Sequence, residues 1–168
     1  MGTYNSLEAF KSLVDRSITE VTAEMLEGVT LIGQSAFSVC SALTSVTIPS
    51  GVTRIGDGAF SGCSSLTSVT ILSGVTSIGG SAFSGCSALT SITIPESTAN
   101  IEYLCFNGCN QLASITVRAT IPPILASGVF QGTSPSLIIY VPSTSVETYQ
   151  IADGWSTYAS KIQAIPSH

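Results

Sequence analysis

Apolar residues return at fixed phases along most of this chain. In LTSITIP (89–95), Leu89, Ile92 and Ile94 alternate with small hydroxyl residues, the two-residue period of a strand buried on one face. The stretch ahead of it, VTSIGGSAFSGCS (75–87), is richer in Gly and Ser and carries Val75, Ile78, Phe83 and Cys86 as apolar anchors. That half predicts a short extended piece and one irregular or helical turn. The same 23 positions recur at 52–74 and 29–51, and more loosely at 98–120; self-similarity at this period marks a solenoid. One unit holds too few large side chains to offset the entropy of ordering its backbone, so the copies must stack and share a core.

Differences between copies carry their own expectations. Gly62, Gly85 and Gly108 share a phase that Val39 occupies in the first copy. A β-branched residue strongly disfavours positive φ, so Val39 is expected at negative φ, with the glycines serving close packing. Pro49 and Pro95 end strands where the second copy has Leu72, so proline helps there without being required.

Outside the regular copies the pattern loosens. Segment 121–142 reads as a degenerate fifth copy, with Ile124 and Phe130 near the Ile and Phe anchor phases and Ile139 and Val141 facing inward. In 143–168, Thr144 and Glu147 have the capping-box spacing ahead of a short helix through about Ala152. Asp153-Gly154 ends that helix, Trp155 is a large anchor, and SKIQAI closes as a strand. Trp155, Tyr149 and Tyr158 fit either a binding platform or a plug for the open end of the core. At the other end, 1–28 reads as a cap: a helix over Tyr4 to Asp15, with Asn5 and Glu8 at capping-box spacing and Leu7, Phe10, Leu13 and Val14 on one face. A degenerate strand follows at 17–22, with Ile18 and Val21 as its apolar positions. The division is therefore a cap at 1–28, repeats at 29–142 and a second cap at 143–168.

Composition narrows the function. Only 9% of the 168 residues are charged while 44% are hydrophobic, the opposite of a disordered chain. The block 29–120 holds five charges, Arg54, Asp57, Glu96, Glu102 and Arg118, and no cluster of basic residues that could neutralise a run of phosphates, so nucleic acid is excluded as a partner. No apolar stretch approaches the roughly 20 residues that would span a membrane. The N-terminal sequence lacks the basic start and apolar run of a secretory signal.

Candidate chemistry is sparse. Cys40, Cys63, Cys86 and Cys109 recur at the repeat period and so form a column about 4.8 Å apart. Four thiols on a line cannot surround a zinc ion tetrahedrally, and parallel side chains rarely present the disulfide dihedral, which leaves small buried hydrophobes as the main reading. Cys105 stands in the phase of Ala36, Ala59 and Ala82, as an oversized alanine. The one histidine, His168, ends the sequence and supplies no Ser–His pair within the repeats. Glu96 and Glu102 are the nearest to a carboxylate pair in the repeats. No phosphate-binding loop is present and no cofactor is implied; the chain reads as non-enzymatic.

The block AFSGCSSLTSVTI, with V-T-x-I-G ahead of it, resembles the BspA-like class of leucine-rich repeats found in bacterial surface proteins. The segment VPSTSVETYQIADGWSTYASKIQAI resembles the closing cap common in that class. The resemblance implies an α+β repeat solenoid, a right-handed stack with one parallel β-sheet face and irregular turns opposite. It also implies a cell-surface or secreted location and adhesion to host or matrix proteins or to other bacteria.

Strand alternation turns one set of residues outward: Ser45 and Thr47, Ser68 and Thr70, Ser91 and Thr93, Ser114 and Thr116, with Tyr140 extending the second column. These hydroxyl ladders are the candidate face for a protein or glycan partner, since exposed solenoid sheets commonly bind. The turns add Arg54, Asp57, Asn100, Glu102 and Tyr103, the most individual residues among near-identical copies. The alternative is a structural spacer or scaffold whose ends make the contacts.

Overall fold

The computed structural model describes residues 17–167. The helix expected over Tyr4 to Asp15 lies outside them. Each repeat contributes a front strand and a shorter back strand. The front strands are β1 (Glu20–Val21), β3 (Ser45–Ile48), β5 (Ser68–Ile71), β7 (Ser91–Ile94), β9 (Ser114–Val117), β11 (Ile138–Val141) and β12 (Ile162–Ala164). The back strands are β2 (Leu31–Ile32), β4 (Arg54–Ile55), β6 (Ser77–Ile78), β8 (Asn100–Ile101) and β10 (Ile124–Leu125). All pairings are parallel, and those among the regular copies keep the repeat phase, as in Val46 beside Val69 and Ile92 beside Ile115.

The expectation of a single sheet face is thereby corrected. The back strands form a five-stranded sheet of their own, because extended pieces at a constant period also stack in register. The front is divided into a three-stranded sheet, β1-β3-β5, and a four-stranded one, β7-β9-β11-β12. The degenerate fifth copy slips by one residue: Leu125, not Ile124, pairs with Ile101 and is buried, while Ile124 is 72% exposed.

Between the sheets the anchors form columns. Phe37, Phe60, Phe83, Phe106 and Phe130 stack with centroids 5.1, 5.4, 5.7 and 6.1 Å apart and planes within 7° of parallel. All five cysteines are buried. The thiols of Cys63, Cys86 and Cys109 donate to the carbonyls of Phe37, Phe60 and Phe83, and burial holds the Cys105 thiol well above its ordinary pKa.

The turn joining the back strand to the next front strand is built from alternating amides. Phe60 and Gly62 donate forward to Ala82 and Ser84 of the next repeat, whereas Ser61 and Cys63 donate back within their own turn. The forward-aimed amides alternate between residues of ordinary φ, such as Phe60, and left-handed ones, such as Gly62 at φ 77°. Val39 accordingly has φ 59°, and its N–H reaches the Ser61 carbonyl at 2.7 Å. The expectation of negative φ fails here because the bond between repeats outweighs the local preference. Close packing is not what selects glycine in that column either, since a Cβ on Gly62 would meet its nearest neighbour at an ordinary 3.5 Å. A second left-handed column runs through Ser35, Gly58, Ser81 and Leu104. Val39 is 64% exposed, so Val39→Gly removes the strain and loses little burial. We expect it to raise stability by about 1 kcal/mol in urea unfolding.

At the C-terminal end a 3-10 turn, Ser143–Ser145, leads into helix α1 (Val146–Ile151). The Thr144–Glu147 capping box does not form. Ser145 occupies the cap position without a side-chain cap bond, because its hydroxyl donates to the Thr120 carbonyl at 2.8 Å. Gly154, at φ 81°, turns the chain into a second 3-10 segment, Trp155–Lys161. Trp155 and Tyr149 are fully buried and meet edge to face at 5.0 Å, and Tyr158 packs on Phe130. Trp155 and Tyr149 are thus part of the core, while Tyr158 is half-buried at its edge.

Candidate functional face

The outward residues of the front strands fall into two columns. Ser45 lies beside Ser68, and Ser91 beside Ser114 and then Ile138; Thr47 lies beside Thr70, and Thr93 beside Thr116, Tyr140 and Gln163. Ser68, Thr70, Ser91 and Thr93 in the middle are exposed, and Ser45, Thr47, Ser114, Thr116 and Tyr140 are half-buried. Each column is interrupted between β5 and β7, where the front sheet divides.

The use of hydroxyls differs between this face and its borders. Along the corners Thr44, Thr53, Thr67 and Thr76 donate to the carbonyls of Thr19, Thr30, Thr44 and Thr53 one repeat earlier. Among the described residues, the nine predicted face residues make no such side-chain bond. Their donors and acceptors point outward on a surface whose columns carry one charge, Glu20 beside Ser45 at the β1 edge.

The opposite side is where the repeats differ. Arg54 and Asn100 lie in β4 and β8, not in turns as expected, in one register column with Leu31, Ser77 and Ile124. Arg54 Nη1 donates to Ser77 Oγ at 2.8 Å and to Glu102 Oε1 at 3.3 Å, and Nη2 lies 3.7 Å from Asp57 Oδ1. The Gly80 amide donates to Asp57 Oδ1 at 2.9 Å and to Glu102 Oε2 at 3.2 Å. A Cβ on Gly80 would sit 3.1 Å from Tyr103 Cζ, so glycine leaves room for that ring, which is 54% exposed. Glu102 therefore pairs with Arg54, and Glu96 instead lines a separate groove with Arg118, Ile121, Pro122 and Ile124. The Arg54 side chain is 40% exposed, so its ion pairs contribute about 1 kcal/mol or less. What this cluster does is tie three successive repeats together. Its members were visible in the sequence as the least repetitive residues, but their convergence was not.

Among the described residues, no group of three or more His, Cys, Asp or Glu side chains is placed to hold a metal. No helix among them is long and apolar enough to cross a membrane.

Parallel strands at a repeating phase, a phenylalanine column and thiols bonded to the preceding turn define a leucine-rich-repeat solenoid. The sequence model of the BspA type leucine rich repeat region matches residues 8–151 in 6 copies, and the chain belongs to that family. The copies begin ahead of Val29, where β1 takes a front-strand position. No curated protein matches the sequence. Among solved structures, a Treponema pallidum (T. pallidum) leucine-rich repeat protein superposes with a TM-score of 0.67 at 28% identity, over 78% of this chain and 61% of that one. A Bacteroides capillosus leucine-rich repeat protein gives 0.51 at 32% identity, over 64% of this chain and 80% of its own. One from Bacteroides ovatus gives 0.55 at 26%, over 89% of this chain and 43% of its own. The chain thus spans about three fifths of the T. pallidum protein. Leucine-rich repeats of this class are in general non-enzymatic modules of protein interaction or scaffolding.

Proposed function

We propose that the chain is a non-enzymatic binding module, adhesive in character, whose front hydroxyl columns contact a protein or glycan. The observation that carries this reading is the contrast in hydroxyl use. The corner threonines are committed to neighbouring carbonyls, whereas the hydroxyls of Ser68, Thr70, Ser91 and Thr93 are exposed, each in register within its own sheet, and unbonded among the described residues. With Glu20 at its edge as the one charge in the columns, a surface of this kind favours partners that present hydrogen-bonding groups over ones that present charge. A cell-surface or secreted location, as the family resemblance implies, would bring such a face to host, matrix or bacterial partners.

The test is a glycan array together with purified extracellular-matrix proteins, using the intact chain. Retention is expected, and it is expected to be lost in a Thr70→Arg, Thr93→Arg variant whose circular dichroism is unchanged. The scaffold reading predicts the opposite: binding survives both substitutions and disappears when residues 1–16 are deleted.

A further inference from the structure

The division of the front sheet falls at one junction, between the second and third full repeats. At the junctions on either side, downstream amides donate to the preceding strand at matched positions: Ser68 and Leu72 to Thr44 and Ile48, and Ser114 and Arg118 to Thr90 and Ile94. The last donor in each set is Leu72 or Arg118. Directly after β7 that position is Pro95, which has no N–H to offer the Ile71 carbonyl. The corner is parted as well. Thr44 and Thr67 each bond the preceding repeat through both amide and hydroxyl, and among the described residues Thr90 makes neither bond to Thr67. Inward side chains record the opening: Val69 and Ile71 are 9% and 8% exposed, against 1% and 0% for Val46 and Ile48 in the strand before. β3, which also ends in proline, pairs with β1 over only two residues.

The same junction is intact on the other side. β4 pairs with β6, Phe60 stacks on Phe83, and Arg54 reaches across Ser77 to Glu102, spanning the junction and the one after it. Ser97 adds a bridge at the far corner, accepting from the Gly74 amide and donating to the Val75 carbonyl, each at 2.9 Å.

We propose that this junction is a hinge: Pro95 leaves the front sheet unlaced between β5 and β7, and the two blocks of the solenoid open and close there about the back sheet, which the Arg54–Glu102 strap holds. One block carries Ser45, Thr47, Ser68 and Thr70; the other carries Ser91, Thr93, Ser114, Thr116 and Tyr140. The hinge stands whether or not that face binds a partner.

Residue-resolved amide exchange on the intact chain tests it. The amides of Ser91 and Thr93, which face the seam, are expected to exchange about tenfold faster or more than those of Ser114 and Thr116, with the Gly79 amide, bonded to the Ile55 carbonyl across the same junction in the back, as protected as the Glu102 amide on Ile78. Pro95→Leu, which restores the donor that Leu72 supplies one repeat earlier, is expected to slow Ser91 and Thr93 to the level of Ser114 and Thr116. Three results would each overturn the proposal. These are equal protection at all front junctions of the natural sequence, a Gly79 amide as fast as Ser91, and a folded Pro95→Leu protein whose seam stays fast.

Discussion

Phe83→Ala should lower the stability of the chain by about 3–5 kcal/mol, the range for removing a buried aromatic ring from a packed core. The ring is fully buried and lies 5.4 Å from Phe60 and 5.7 Å from Phe106. Its neighbours cannot close the gap. Phe60 is held by its amide on Ala82, and the backbone of residue 83 is held by its own amide on Cys105, so the column keeps its spacing around the hole. Phe83→Leu, which keeps much of the volume, should cost about 1.5 kcal/mol. Urea unfolding of both variants checks the pair. The position in the stack adds a second signature. A repeat protein is held together by contacts between neighbours, so a cavity in the middle weakens the coupling of both halves, and the transition should broaden as well as shift. A loss for Phe83→Ala no larger than for Phe83→Leu would show that the ring column is not the principal core.

How much of this was legible from residues alone depends on whether a feature is periodic. The front columns follow from strand alternation multiplied by a constant period, which is why Ser68, Thr70, Ser91 and Thr93 could be placed outward and in register from the sequence. Cys105 in an alanine phase, and its burial, follow from the same arithmetic. Features set by one copy against its neighbour were not legible. The side chain of Val39 by itself favours negative φ, whereas its φ is set by an amide aimed at Ser61 in the next repeat. Pro49 and Pro95 look alike as strand ends, but only Pro95 faces a complete four-residue strand whose carbonyl it leaves without a donor. Thr144 and Glu147 have the right spacing for a cap, but Ser145 is recruited to Thr120, and that partner belongs to another repeat. Arg54 and Glu102 are 48 positions apart and meet only because the period stacks them two levels apart, with Ser77 between.

Trp155→Ala should produce the other large loss, about 5 kcal/mol, because it combines a cavity with an orphaned carbonyl. The reason lies in the corner at 119–123, which the cap binds by its carbonyls. Tyr149 Oη donates to Ala119 at 2.6 Å, Ser145 Oγ to Thr120 at 2.8 Å and Trp155 Nε1 to Pro123 at 2.8 Å. Pro122 and Pro123 have no amide hydrogens, so this corner offers acceptors with few donors, and the cap supplies the donors from side chains. Trp155 is the largest of the three, packed at 6.3 Å on Phe130 at the end of the phenylalanine column. Burial also holds the Tyr149 hydroxyl above its ordinary pKa, so it remains a donor throughout the physiological range. Graded variants separate packing from hydrogen bonding: Tyr149→Phe should cost about 1–2 kcal/mol, Trp155→Phe about 2–3 kcal/mol, and Trp155→Ala the full amount. Because the cap contacts only the last repeats, the loss should appear first as local opening. Exchange at Leu125 and Ile139 should accelerate in Trp155→Ala before any change at Val46 or Val69. Uniform acceleration along the whole stack would mean instead that the solenoid unfolds as one unit, and that the cap stabilises it only through the global transition.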